Sequence, residues 1–171
     1  MLFDVKNILY CTQMGPNAAY VFRWAYTLAK HLDARIHVLY VIEGLTERQR
    51  ELVEKYSGQA TLSKVIEQAE EEAAKRLPRR LETFFKKLAP DDDWKSHIGE
   101  LIVAHGHATD EILRHAESTG ADLVVVGAHR SSSIVEIILG STARRLTERC
   151  SVPVLVVRVP EGHQALTVTD E

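Results

Sequence analysis

At 171 residues, with 45% apolar side chains and a formal net charge of −3, the chain is sized for one domain with a full core, which excludes wholesale disorder. The mild acidity gives no general attraction to nucleic acid or to an anionic membrane, so any anion site must be local. The opening MLFDVKN lacks a basic segment leading into an apolar one, no stretch reaches the roughly 20 apolar residues of a membrane span, and Cys11 and Cys150 form no close-spaced metal pattern; a reducing, cytoplasmic setting with two small buried thiols is expected.

In chain order, the apolar run Val5 to Thr12 reads as a first strand, stopped by the turn residues Gly15 and Pro16. Ala18, Val21, Phe22, Ala25, Leu28, Ala29 and Leu32 follow at helical spacing, with Pro16 suited to the first turn, where its missing N–H has no partner to lose. Ala34 to Glu43 reads as a second strand. The segment between Gly44 and Gly58 is polar and carries no assignable period. Leu62, Val65, Ile66, Ala69, Ala73, Leu77, Leu81, Phe84, Phe85 and Leu88 mark a long amphipathic helix, with a kink expected at Pro78, and its charged run EEEAAKR reads as a solvated face.

A third strand is expected near WKSHIGELIV, then a helix through Ile112, Leu113 and Ala116 that stops at Gly120. ADLVVVG, apolar throughout, fits a central parallel strand covered on both faces. A helix from about Ser141 leads to SVPVLVVRV, a fifth strand opened by Pro153. The domain is expected over residues 1–159, with a polar, frayed tail over 160–171.

Strands alternating with helices predict a parallel sheet wrapped on both faces, in which ligands collect beyond the carboxyl ends of the strands where the winding reverses. That rule points to the loops after the first strand, Gln13 to Gly15, and after the fourth, Gly127 to Arg130. Gly140-Ser141-Thr142 at a helix start offers amide groups and the positive end of a helix dipole to an anion; the plainer alternative is that Ser141 merely caps the helix. His105 and His107, with His115, have the residue types of a metal site but no Cys and no carboxylate pair beside them, so no metal is assigned. The run Ile134, Val135, Ile137, Ile138 and Leu139 reads as a helical turn packed on the sheet edge. No dinucleotide fingerprint, P-loop or nucleophile elbow is present, and no catalytic residue is assigned.

From about Val5 to Val159 the chain resembles the universal stress protein family, on NILYCT, RWAYTLAKHLDARIHVLYVIE, GADLVVVGAHR and LGSTARRLTERCSVPVLVVR. The resemblance implies an open five-stranded parallel sheet in the order 3-2-1-4-5, of the adenine nucleotide alpha hydrolase type, in an α/β single domain. The family's nucleotide-binding branch carries G-x2-G-x9-G-[S/T] after the fourth strand. Gly127, Gly140 and Ser141 match it, Arg130 stands in place of the second glycine, and Gln13 stands where binding members have Asp.

In those members the resemblance implies that the residue at Val41 meets adenine through its backbone, that the first glycine and the Asp position hold ribose, and that the later glycines and hydroxyl hold phosphates. Arg130 either replaces a glycine as a bidentate phosphate ligand or lies across the mouth of the cleft. Gln13 can bond a ribose hydroxyl but lacks the carboxylate that helps hold Mg2+. Three readings follow: a regulatory module that binds ATP or another adenine nucleotide through Gln13, Val41, Gly127, Arg130, Gly140, Ser141 and Thr142; a dimeric stress-response interaction protein, with an unknown protein partner, whose cleft is filled by Arg130 and Gln13; and a slow nucleotide hydrolase. If the last strand lies at an edge, self-pairing through Val154 to Val159 in a homodimer, which is also the family habit, would cover it.

Overall fold

The computed structural model describes residues 4–128 and 140–160. Strands β1 (Asn7–Thr12), β2 (Arg35–Glu43), β3 (Ile98–Gly106), β4 (Leu123–Gly127) and β5 (Val154–Val157) form one sheet in the order β3-β2-β1-β4-β5, every neighbouring pair parallel. Helices α1 (Ala18–Leu32), α2 (Glu47–Ser57), α3 (Gln59–Leu88), α4 (Ala108–Ser118) and α5 (Ser141–Arg149) connect them. The expected fold class and strand order are those observed. Among the described residues no helix is long and apolar enough to cross a membrane.

β1 lies at the centre, in register with β2 from Asn7↔Arg35 to Thr12↔Tyr40 and with β4 from Ile8↔Leu123 to Cys11↔Val126. Its side chains alternate between two cores, as the period of two requires. Ile8 and Tyr10 enter the layer built by α1 and α3, while Leu9 and Cys11 enter the layer built by α4 and α5. The entry to the sheet is pinned by Asp122, whose carboxylate accepts from the Lys6 and Asn7 amides at 2.8 and 2.9 Å.

The first core is aromatic. Phe85 stacks on Trp94 with centroids 4.5 Å apart and meets Tyr26 and Phe84 edge-on at 4.8 and 5.2 Å. Such pairs add to the large area each ring buries. α3 brings Phe84 and Phe85 there on the same stripe as Ala73, Leu77 and Leu81, and the helix continues through Pro78.

Several boundaries differ from the sequence reading. Residues 47–57, left unassigned, form α2: Thr46 Oγ1 accepts from the Gln49 amide at 3.4 Å and Gln49 Oε1 accepts from the Thr46 amide at 2.9 Å, a reciprocal cap. No α2 residue is buried, so the periodic apolar signal was absent and the Thr-x-x-Gln cap was the available one. Trp94–His97 is a 3-10 turn ahead of β3 rather than its beginning. Pro16 lies in a turn before α1, whose cap position is Asn17, and the Ala18 amide bonds back to the Gly15 carbonyl at 3.1 Å. The expected strand ends at Ala121, Asp122 and Val159 extend past the hydrogen-bonded ladders of β4 and β5. The helical turn expected around Ile134 to Leu139 and the tail from 161 lie outside the described residues.

Buried His37 is held by two contacts that place its proton. The Glu100 amide donates to its Nδ1 at 3.3 Å, leaving Nε2 to face Asn7 Oδ1 at 3.4 Å. A Cβ on Gly99 would stand 2.9 Å from this ring, and the β2–β3 register shifts between Ile36 and Val38 to make room. The aromatic core yields a direct test: Phe85→Ala removes the ring shared by Phe22, Tyr26, Phe84 and Trp94 and is expected to cost about 3–5 kcal/mol in urea unfolding.

Candidate functional site

The carboxyl ends of β1, β2 and β4 lie side by side, and α4 and α5 begin at the same end on one face of the sheet. Gln13, exposed, is the first residue beyond β1. Val41 is half-buried against the α4/α5 layer and pairs with Ala104. Gly127 ends β4, exposed and level with Val157. Gly140 is the cap position of α5, Ser141 its exposed first residue and Thr142 its half-buried second. The topology therefore brings Gln13, Val41, Gly127, Gly140, Ser141 and Thr142 to one end of the sheet. Arg130 lies outside the described residues.

Ser141 does not cap α5. The cap position is Gly140, at φ −55° and ψ 153°, which has no side chain to bond the amides of the first turn. That turn also lacks an acidic residue. Neither the cap residue nor an acid of the first turn therefore answers its N–H groups and the positive end of the helix dipole.

Gly127 has a packing reason for its identity. A Cβ there would come within 3.1 Å of Val21 Cγ2, so glycine lets α1 approach the end of β4. Its backbone is not left-handed. By contrast Met14, beside Gln13, holds φ 52°, with its amide donating to Thr12 Oγ1 at 3.0 Å.

Two of the arginines after Ser141, Arg145 and Arg149, are tied to the start of α4. Arg145 Nη1 donates to His107 Nε2 at 3.1 Å, which leaves the imidazole proton on Nδ1, 3.6 Å from Asp110 Oδ2. Arg149 Nη1 donates to Asp110 Oδ1 at 3.0 Å. These contacts span 38 and 39 residues, and no local pattern signals them. His107 is engaged with Arg145 and Asp110, and His115 with Arg114 and Glu111. Among the described residues no group of three His, Cys, Asp or Glu side chains could hold a metal ion.

One further group on this face was missed. Thr109, in the first turn of α4, is fully buried and its hydroxyl has no hydrogen-bond partner among the described residues. Burial pushes the Cys11 thiol far above the ordinary range, with a smaller contribution from neighbouring Cys150, so Cys11 is held as a neutral thiol without nucleophilic character.

A family model described as the universal stress protein family matches residues 4–158. The chain belongs to the universal stress protein family. It is 31% identical to universal stress protein MJ0531 of Methanocaldococcus jannaschii over 162 residues, covering 91% of this chain and 84% of that one. Universal stress protein MJ0577 of the same organism is 26% identical over 90% of this chain and 94% of its own length. Among solved structures, UspA from Lactobacillus plantarum superposes with a TM-score of 0.66 at 22% identity, over 92% of this chain and 100% of that one. A universal stress protein solved in complex with cAMP superposes with a TM-score of 0.51 at 16% identity, over 91% of this chain and 98% of that one.

Two tests follow for this universal stress protein. Gly127→Val is expected to destabilise by about 1–3 kcal/mol through the clash with Val21, and Val21→Ala in the same chain is expected to recover most of the loss in urea unfolding. His115 is held below the ordinary histidine pKa, first by burial and then by the Arg114 guanidinium. The unfolded chain therefore takes up this proton at a higher pH than the folded one, and stability falls as pH drops from the unfolded value of about 6.5 through the folded one. His115→Gln is expected to flatten the pH profile of the unfolding midpoint in that window.

Proposed function

We propose that this universal stress protein binds an adenine nucleotide at the carboxyl end of its sheet and serves as a regulatory binding module of the stress response. The observation that carries the reading is the start of α5: amides with no side-chain cap, preceded by Gly140 and placed beside the ends of β1, β2 and β4. A helix start of this kind takes phosphate through its N–H groups and its dipole. The adenine end falls to Val41, the ribose to Gln13 and Gly127, the phosphates to Gly140, Ser141 and Thr142, and Arg130 adds a guanidinium to the phosphates.

The described residues fit such a group. Gly140 at the cap position of α5 carries no Cβ, and the Thr109 hydroxyl, with no hydrogen-bond partner among the described residues, is a buried polar atom on the same face. The cAMP complex of a structurally similar universal stress protein supports the class of ligand. Bound there, the nucleotide supplies phosphate charge to the start of α5. Gln13 in place of a carboxylate makes Mg2+ a companion of the phosphates rather than a ligand of this side chain.

The test is thermal unfolding of ligand-free protein with and without millimolar AMP, ADP or ATP, with and without Mg2+. A nucleotide at about 100 times its dissociation constant stabilises by about 2.7 kcal/mol, a shift of several degrees for a chain of this size. Ser141→Ala combined with Thr142→Val is expected to reduce the shift. Arg130→Gly is expected to reduce it as well; a shift that appears only in Arg130→Gly shows that the arginine closes the cleft, and the interaction-protein reading then replaces this one.

A homodimer is part of the proposal. β5 is an edge strand whose Val154, Leu155 and Val156 are only half-buried, and pairing with a second copy about a two-fold axis covers it. Val156→Asp is expected to give a monomer by light scattering, and an unchanged dimer counts against the edge.

A further inference from the structure

The opposite face of β1 carries a different feature. A cavity of about 40 Å3 opens between β1, the β1–α1 turn, α1 and α3. Phe22, Leu77, Leu81 and Phe84 form apolar wall, Ala18 contributes only a methyl group, and Arg80 stands in the same lining. At about 10–15 Å3 per water-sized sphere, the space holds roughly three such spheres, the girth of a branched aliphatic tail and less than a nucleobase.

Its polar side is chemically selective. The Tyr10 hydroxyl donates to the Ala18 carbonyl at 2.9 Å, and the Thr12 hydroxyl accepts from the Met14 amide at 3.0 Å, so both hydroxyls are engaged with the backbone. Arg80, half-buried, lines the same cavity as Tyr10. It has contacts of its own, and its five N–H groups let it add a carboxylate to them. Met14 lines the same cavity in a left-handed conformation that a long side chain keeps only where its surroundings hold it. Pro78, one residue past Leu77 in the α3 wall, removes a helix hydrogen bond beside the opening.

We propose that this cavity is a second ligand site, for a small monocarboxylate with a branched apolar tail: the tail sits among Phe22, Leu77, Leu81 and Phe84, and the carboxylate pairs with Arg80. The site lies on the face of the sheet opposite α4 and α5 and is independent of the nucleotide reading. An anion is selected because the guanidinium repels a cation in the same pose, and a small tail because the volume between Phe22, Leu77, Leu81 and Phe84 is small.

Isovalerate is the probe, with isoamyl alcohol and isoamylamine as neutral and cationic controls of the same tail, read by thermal unfolding and by saturation-transfer NMR. At about ten times its dissociation constant, isovalerate is expected to raise the midpoint by about 3–6 °C, saturably. The alcohol gives a smaller shift and the amine none. Ala18→Leu fills the cavity and is expected to abolish the isovalerate shift; Leu81→Phe fills it from the other wall should the first variant fold poorly. Arg80→Gln is expected to bring isovalerate down to the level of the alcohol. The absence of any saturable isovalerate shift, an equal response to the amine, or a shift that survives in both filled variants overturns the proposal. A shift with AMP that persists in Ala18→Leu while isovalerate is lost separates the two sites, and the isovalerate arms are read whether or not AMP binds.

Discussion

β1 hydrogen-bonds to β2 along one side and to β4 along the other, and it is the strand at which the winding of the chain reverses direction. Both of its faces are buried, so the alternation of its side chains assigns Ile8 and Tyr10 to one core and Leu9 and Cys11 to the other. A slip of one residue would exchange the two sets and leave each core filled with the wrong shapes. The Asp122 carboxylate, bonded to the amides at the entry of β1, opposes that slip at the far end. The residues after Thr12 inherit this register, which is why Gln13 and Met14, adjacent in sequence, sit at the junction of two unlike environments.

Those environments differ in what holds them together. On the α1/α3 face, rings pack edge-on and stacked around Phe22 and Phe85, and the cavity lies where that packing gives way to Ala18, Ala19 and the β1–α1 turn. On the α4/α5 face the packing is aliphatic, and the polar chemistry is gathered at the helix starts. There Arg145 and Arg149 reach across to His107 and Asp110 rather than folding back on α5. The exposed ion pairs of this bridge are individually weak; they draw Arg145 and Arg149 toward α4, while Arg144 stays in the first turn of α5.

Much of the sheet was legible in the sequence because buried parallel strands are continuous apolar runs and α1 and α3 keep a clean apolar stripe. α2 was not, because every one of its residues is outside the core and its evidence is a single capping pair, Thr46 and Gln49. At the site, the spacing of Gly127, Gly140 and Ser141 was readable, but the reasons for two of these residues changed on inspection of the fold. Gly127 makes room for Val21, and Ser141 leaves the helix uncapped. Thr109 was illegible for a simpler reason: a threonine near a helix start is ordinary, and only its burial without a partner sets it apart.

By itself the sequence determined the alternation of strands and helices and the family, because periodicity and motif spacing are local properties of a chain. The tertiary structure decided which groups meet across long separations. Arg145 finds His107 across 38 residues, Gly99 makes way for His37 across a sheet, and Arg80 joins Tyr10 and Thr12 around one cavity. No local pattern encodes those meetings, since each depends on where a parallel strand lands after its crossover helix, and that is set by packing of whole layers rather than by the residues on either side.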